Sequence, residues 1–126
     1  MPSPLPSRCA NMSNEPATPG RVVVEYHVTF GNGDDARTMA RAVLEARLAA
    51  CANIFEGVRS LYWWQGEIAE ENEVSVLFKT STARAEALAT FIAERHPYDT
   101  PAIIRHDGGS VDAAFARWIE EETTPS

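Results

Sequence analysis

Residues 52–80 read ANIFEGVRSLYWWQGEIAEENEVSVLFKT, and this stretch decides the fold. Ala52 to Trp64 has the pattern of a β-strand, interrupted by Gly57, which marks a bulge or bend. Gln65-Gly66 forms a two-residue turn. Glu67 to Thr80 returns as the second strand, with Val74, Val76 and Phe78 on one face. Both arms run well past the usual length of about five or six residues. The far half carries Leu61, Tyr62, Trp63 and Trp64. A two-stranded arm cannot cover that much aromatic surface alone, and another subunit is the economical cover.

The elements on either side complete the pattern. Arg21 to Phe30 alternates Val22, Val24, Tyr26, Val28 and Phe30 against Val23, Glu25, His27 and Thr29, which predicts a strand. Gly31-Asn32-Gly33 ends it. Asp34 and Asp35 are placed to cap and charge a helix whose inward positions are Ala36, Met39, Ala40, Val43, Leu44 and Leu48, ending near Ala49 or Ala50. After the hairpin, a second helix runs from about Thr82 to Arg95, stopped by Pro97. A short strand, Ala102 to His106, follows Pro101. Asp107-Gly108-Gly109 turns, and Ser110 caps a last helix with Val111, Ala114, Phe115, Trp118 and Ile119 on one stripe. The order is βαβ, βαβ and a helix. This predicts an α/β (α+β) ferredoxin-like sandwich with an extra C-terminal helix and a long central hairpin, its two main helices on one sheet face.

Residues 1–20 hold five of the eight prolines and show no periodicity, so they read as a disordered extension. The domain spans 21–122, and 123–126 are a tail. Met12, followed by Ser-Asn-Glu, is the expected natural start. The chain is 126 residues long and 44% hydrophobic, which suits one domain. No apolar run reaches the length of a membrane helix, and no secretory h-region is present. Eighteen acidic against eleven basic residues leave a net charge of −7. Such a balance argues against nucleic acid and against an anionic membrane. The two cysteines, Cys9 and Cys51, make neither a disulfide framework nor a zinc pair, so a reducing, cytoplasmic setting is expected.

Motifs for catalysis are missing. There is no GxSxG, and Gly31-Asn32-Gly33 has neither the downstream glycine nor the lysine of a phosphate loop. No histidine lies near Cys51 in sequence to activate it, so it reads as a small buried hydrophobe. The chain is therefore expected not to be an enzyme. His27, His96 and His106 share no metal-binding spacing. His27 reads as a solvated or interface residue and His106 as a surface one. His96 is the best candidate ligand, because Pro97 fixes its backbone, although pairing with the helix C-terminus is the plainer role. Glu67, Glu70, Glu71 and Glu73 are an acidic run, suited to a hard cation or to a solvated arm. Lys79, the one lysine, either closes an ion pair or marks a pocket.

Five segments together resemble the CutA divalent-cation-tolerance family: Leu48–Ile54, Ser60–Ile68, Glu73 with Phe78-Lys79-Thr80, His96-Pro97-Tyr98 with Pro101, and Phe115–Ile119. The resemblance runs from about Val22 to Glu121. It implies a ferredoxin-like fold and a homotrimer of the PII-like kind, with clefts at subunit boundaries. It also implies a role in the response to metal ions, and a divalent metal such as copper as the expected cofactor. The residues expected to line the clefts are Cys51, Tyr62, Trp64, Glu67, Lys79, His96 and Tyr98, with His96 as the metal ligand. Three positions depart from the family pattern. Val28 stands at a place where some members have a copper-suited cysteine, Arg95 where some have the first of two histidines, and Ala102 where a glutamate is usual. Copper prefers thiolate and imidazole, so these departures weaken a copper site. The partners expected are further copies of the chain and a metal ion or small ligand. The alternative is a trimeric scaffold or PII-like signalling protein that presents its surfaces to a protein partner.

Overall fold

The computed structural model describes residues 23–108 and 111–125. The proline-rich extension, Cys9, Met12, Val22 and Ser110 lie outside the described residues. Four strands form a single antiparallel sheet in the order β2-β3-β1-β4. They are β1 (Val23–Phe30), β2 (Cys51–Trp64), β3 (Glu67–Ser81) and β4 (Ile103–Asp107). Helices α1 (Gly33–Glu45) and α2 (Ala85–Arg95) complete two βαβ halves, and α3 (Ala113–Glu122) closes the chain. This is the ferredoxin-like arrangement that the element order implies, with β2 and β4 at the sheet edges.

Strand alternation sorts the sheet into two unlike faces. Val24, Val28 and Phe30 of β1 and Val76 and Phe78 of β3 are fully buried against Val43 of α1 and Leu88 and Ile92 of α2. Each such side chain contributes roughly 1.5–3 kcal/mol of burial. The other face carries Glu25, His27 and Thr29 opposite Lys79, Leu77 and Ser75. At one end α3 crosses this second face, packing Ala116, Trp118 and Ile119 on Val23 and Cys51.

Five local details differ from the sequence reading. Asn32, not Asp34 or Asp35, caps α1: its side chain accepts from the Asp35 N–H at 2.8 Å. The two aspartates sit in the first turn, where their charge favours the helix N-terminus. The helix then stops at Glu45, four residues early. Arg47 takes a left-handed conformation (φ 59°), its N–H reaches the Leu44 carbonyl at 3.0 Å, and the Leu48 N–H reaches the Val43 carbonyl at 3.1 Å. These two bonds form a Schellman stop with arginine where glycine is usual. Asp112 caps α3, accepting from the Phe115 N–H at 3.2 Å. A 3-10 turn, Thr82–Arg84, leads into α2. Thr123, assigned to the tail by sequence, is buried because its hydroxyl meets Ser81 Oγ at 3.0 Å and donates to the Ile119 carbonyl at 2.8 Å.

The hairpin is built as its sequence suggests. Gln65 (φ 50°) and Gly66 (φ 81°) are both left-handed, the turn geometry that matches strand twist. At Gly57 (φ 78°) the register shifts: Phe55 pairs with Ser75, but Val58 pairs with Glu73. Two residues of β2 oppose one of β3, which is a β-bulge. An added Cβ at Gly57 would meet nothing within 4 Å, so the glycine is needed for its backbone alone. Gly57→Ala is therefore expected to cost about 1–2 kcal/mol, read as a lower urea midpoint. Gly57→Asn should recover part of that loss, because asparagine tolerates the left-handed region.

Candidate functional site

The bulge determines which hairpin side chains share a side. Before it, Cys51, Asn53 and Phe55 lie on the face of Ser75, Leu77 and Lys79; beyond it, Val58, Ser60, Tyr62 and Trp64 continue that face opposite Glu73, Glu71, Ala69 and Glu67. At the base of the arm the connection between α2 and β4 approaches from the other side. The result is a groove of about 840 Å³. Ser60, Tyr62 and Trp64 of β2 and Ala69, Glu71 and Glu73 of β3 line one wall; Tyr98, Asp99, Thr100 and Ala102, with Thr29 at the end of β1, line the other.

Tyr98 joins the two walls. Its hydroxyl donates to Glu73 Oε2 at 3.1 Å. Burial, then the hydrogen bond and the charge of Glu73, push its phenol up from 10.0 to about 12. Tyr62 is also raised, first by its hydrogen bond with Glu71 and then by burial and the carboxylate charges. Gly31 makes room beside Tyr98, since an added Cβ there would stand 3.1 Å from the hydroxyl.

His96 stands behind Tyr98 and is buried. Its ring stacks on Phe30 with centroids 4.6 Å apart and meets the edge of Tyr98 at 4.8 Å. Nε2 lies 2.7 Å from the Thr29 carbonyl, and Nδ1 accepts from the Tyr98 N–H at 3.1 Å. A carbonyl can only accept and an amide N–H can only donate, so the tautomer is protonated on Nε2. Both ring nitrogens are engaged, and His96 offers no free lone pair to a metal. The ring positions Tyr98.

The seven residues expected in one cleft thus divide within a single chain. Tyr62, Trp64 and Tyr98 share the groove, with His96 as its support. Cys51 and Lys79 are cross-strand partners elsewhere on the sheet, where Lys79 Nζ bonds Asn53 Oδ1 and lies 3.6 Å from Glu25 Oε2. Of the two readings of Lys79, the ion pair is the one observed. Glu67 lies at the exposed arm tip opposite Trp64. The departures from the family pattern also separate: Val28 is in the core, Arg95 lies over the Phe91 ring at 3.8 Å, and Ala102 lines the groove. Among the described residues, no three His, Cys, Asp or Glu side chains come together to hold a metal ion. The donors present in this one chain do not fit a copper site.

Sequence reasoning missed Glu71, Glu73 and Asp99 as groove residues. The signal was available in part: once the bulge is placed at Gly57, Glu71 and Glu73 fall opposite Ser60 and Val58, on the Tyr62 side.

Comparison with known proteins is consistent throughout. The family model described as CutA1 divalent ion tolerance protein matches residues 24–122. The divalent-cation tolerance protein CutA of Pyrococcus horikoshii is 42% identical over 101 residues, covering 80% of this chain and 98% of that protein. The crystal structure of divalent ion tolerance protein CutA1 from Ehrlichia chaffeensis superposes with a TM-score of 0.80 at 32% identity, over 83% of this chain and 98% of that one. CutA from Synechococcus elongatus PCC7942 gives 0.82 at 27% identity, over 90% of this chain and 100% of that one.

Two outcomes are expected from this geometry. His96→Ala should destabilise the fold by about 2–4 kcal/mol, through the lost ring stack and two unmade hydrogen bonds, while calorimetry shows copper affinity unchanged. Tyr98 is protonated more firmly in the folded chain than in the unfolded one. Its contribution is therefore intact below pH 10.0 and is lost as pH rises towards about 12. Urea midpoints across that range should fall less steeply for Tyr98→Phe.

Proposed function

Because the chain belongs to the CutA1 divalent ion tolerance family, we propose that it acts in the response to divalent ions as a cytoplasmic homotrimer whose inter-subunit clefts take a small ligand or metal ion. The observation that carries this reading is the surface of the hairpin arm. Leu61, Trp63, Trp64 and Ile68 are each more than 60% exposed. Leu61, Trp63 and Ile68 lie on one face of the arm and Trp64 on the other, so both faces present the large apolar surface that marks an interaction site. Copies of the same chain can cover it. The groove runs along the Trp64 side of that arm, so a neighbour seated against that side would also wall the groove. Three copies then give three equivalent clefts.

The groove supplies oxygen donors from Glu71, Glu73 and Asp99, which suit hard cations rather than copper. No catalytic step is assigned. His27 Nε2 and Ser75 Oγ lie 2.9 Å apart, but neither lines the groove. No helix among the described residues is long and apolar enough to cross a membrane.

Native mass spectrometry of protein purified without chelators or an affinity tag tests the proposal. The expected species is three chains of 13.8 kDa each with additional bound mass. A monomer would overturn the cleft.

A further inference from the structure

Resting on the homotrimer reading above and deepening it, we infer that copies of this chain meet on the open face of the sheet, and that His27 at its centre makes the assembly pH-sensitive, firm while the imidazole is neutral and weakened once it is charged. Strand register fixes the residues of that face. His27 stands in a row with Asn53, Leu77 and Ile104. On one side lies a row of Phe55, Ser75 and Thr29, and on the other a row of Cys51, Lys79, Glu25 and His106. Helices α1 and α2 cover the opposite face, and α3 covers only the Cys51 end of this one. Phe55 and Ile104 are left 50% and 52% exposed.

Continuity and charge both point to a second copy as the cover. The face runs along β2 from Asn53 and Phe55 into Val58, Ser60, Tyr62 and Trp64, the side of the arm against which a neighbour is seated in the trimer reading. The chain as a whole carries −7, so two copies repel wherever their excess acid meets. On the open face the charges cancel within one chain. Lys79 Nζ lies 3.6 Å from Glu25 Oε2 and also bonds Asn53 Oδ1. With its histidines neutral, this face is where an acidic protein meets itself without repulsion.

His27 is the group whose charge can upset that balance. Its Nε2 lies 2.9 Å from the buried Ser75 hydroxyl, and Leu77 and Ile104 flank it across the sheet. The ionisable groups on its face are Glu25 on β1, Lys79 and Glu73 on β3 and His106 on β4; β2 brings the neutral Asn53, and α3 lays down the uncharged Ala116, Trp118 and Ile119. Glu25 stands about 7 Å along the strand and is held by Lys79, and Glu73 is engaged by Tyr98. No carboxylate is left to compensate an imidazolium at the centre. His106 differs, being exposed at the sheet edge directly opposite Glu25. A covering neighbour takes His27 out of water, where a charge is costly and a neutral ring bonded to Ser75 is not. Histidine is the side chain that changes charge between pH 5 and 8. The assembly then binds fewer protons than its separated chains, so it is firm at high pH and weakens as pH falls. Three copies carry the effect three times.

Sedimentation of the full chain in rising urea, at pH 8 and at pH 5.5, tests the inference through the midpoint at which the trimer is lost. The parent midpoint should be lower at pH 5.5 by about 1 M. His27→Gln keeps a hydrogen-bonding partner for Ser75 and cannot take a charge, so most of that shift should vanish whatever its own midpoint at pH 8. His106→Gln should keep the shift. Ile104→Glu sets a fixed charge in the same row and should lower the midpoint at both pH values. A trimer whose midpoint does not move with pH, or moves equally in His27→Gln, overturns the switch and leaves the assembly standing. Loss of the shift in His106→Gln moves it to the sheet edge and also overturns it. A trimer indifferent to Ile104→Glu overturns the contact. Single chains at both pH values without urea remove the trimer reading itself, and the inference with it.

Discussion

The two-against-one pairing of β2 and β3 at Gly57 is the constraint on which the functional end of the molecule depends. A strand shows its side chains alternately to two faces, so one unmatched residue exchanges the faces of everything beyond it. Without the bulge, Tyr62 and Trp64 would fall on the opposite side from Glu71 and Glu73. With it, two aromatic rings and two carboxylates share a wall. The left-handed backbone at Gly57 that allows this lies in open space, so packing neither requires nor resists it.

The inner half of the hairpin is held by something quite different. Val74, Val76 and Phe78 belong to the core, and the buried Thr80 hydroxyl donates to the Leu48 carbonyl at 2.7 Å. β3 is therefore one strand with two roles, core for about half its length and arm for the rest. His96 and Tyr98 couple these halves. The imidazole rests on Phe30, a core residue, and bonds the Thr29 carbonyl; Tyr98, fixed by that imidazole, reaches Glu73 on the arm. The groove inherits its geometry from the core through this chain of contacts.

Much of this was legible before any coordinates, because strong periodicity and turn chemistry are local. Gln65-Gly66, the break at Gly57 and the apolar stripes of the helices lie where their residues imply. Details set by competing local bonds were not. Asn32 outbids two aspartates for the cap because only its side chain sits one position before the first helical residue. Arg47 ends a helix whose apolar pattern continues to Leu48, because Leu48 is buried from beyond the stop. Thr123 looked like tail, since nothing in sequence shows that Ser81 stands opposite. The site was legible by halves. Tyr62, Trp64 and Tyr98 were found, but the acidic run was left between a hard-cation site and a solvated arm, since the faces of a bulged strand cannot be assigned until the register is known.

β2 is also an edge strand, and its outer backbone groups face away from the sheet. In time rather than space, this makes a fresh chain most vulnerable between folding and finding its fellows. An unpaired edge flanked by tryptophans will accept any complementary strand, right or wrong. Glu56, Glu67, Glu70, Glu71 and Glu73 punctuate that hairpin, and like charges on every copy slow indiscriminate stacking. The acidity of the arm thus acts as a kinetic gatekeeper, making haste costly for the wrong encounter and tolerable only where a partner's shape repays it.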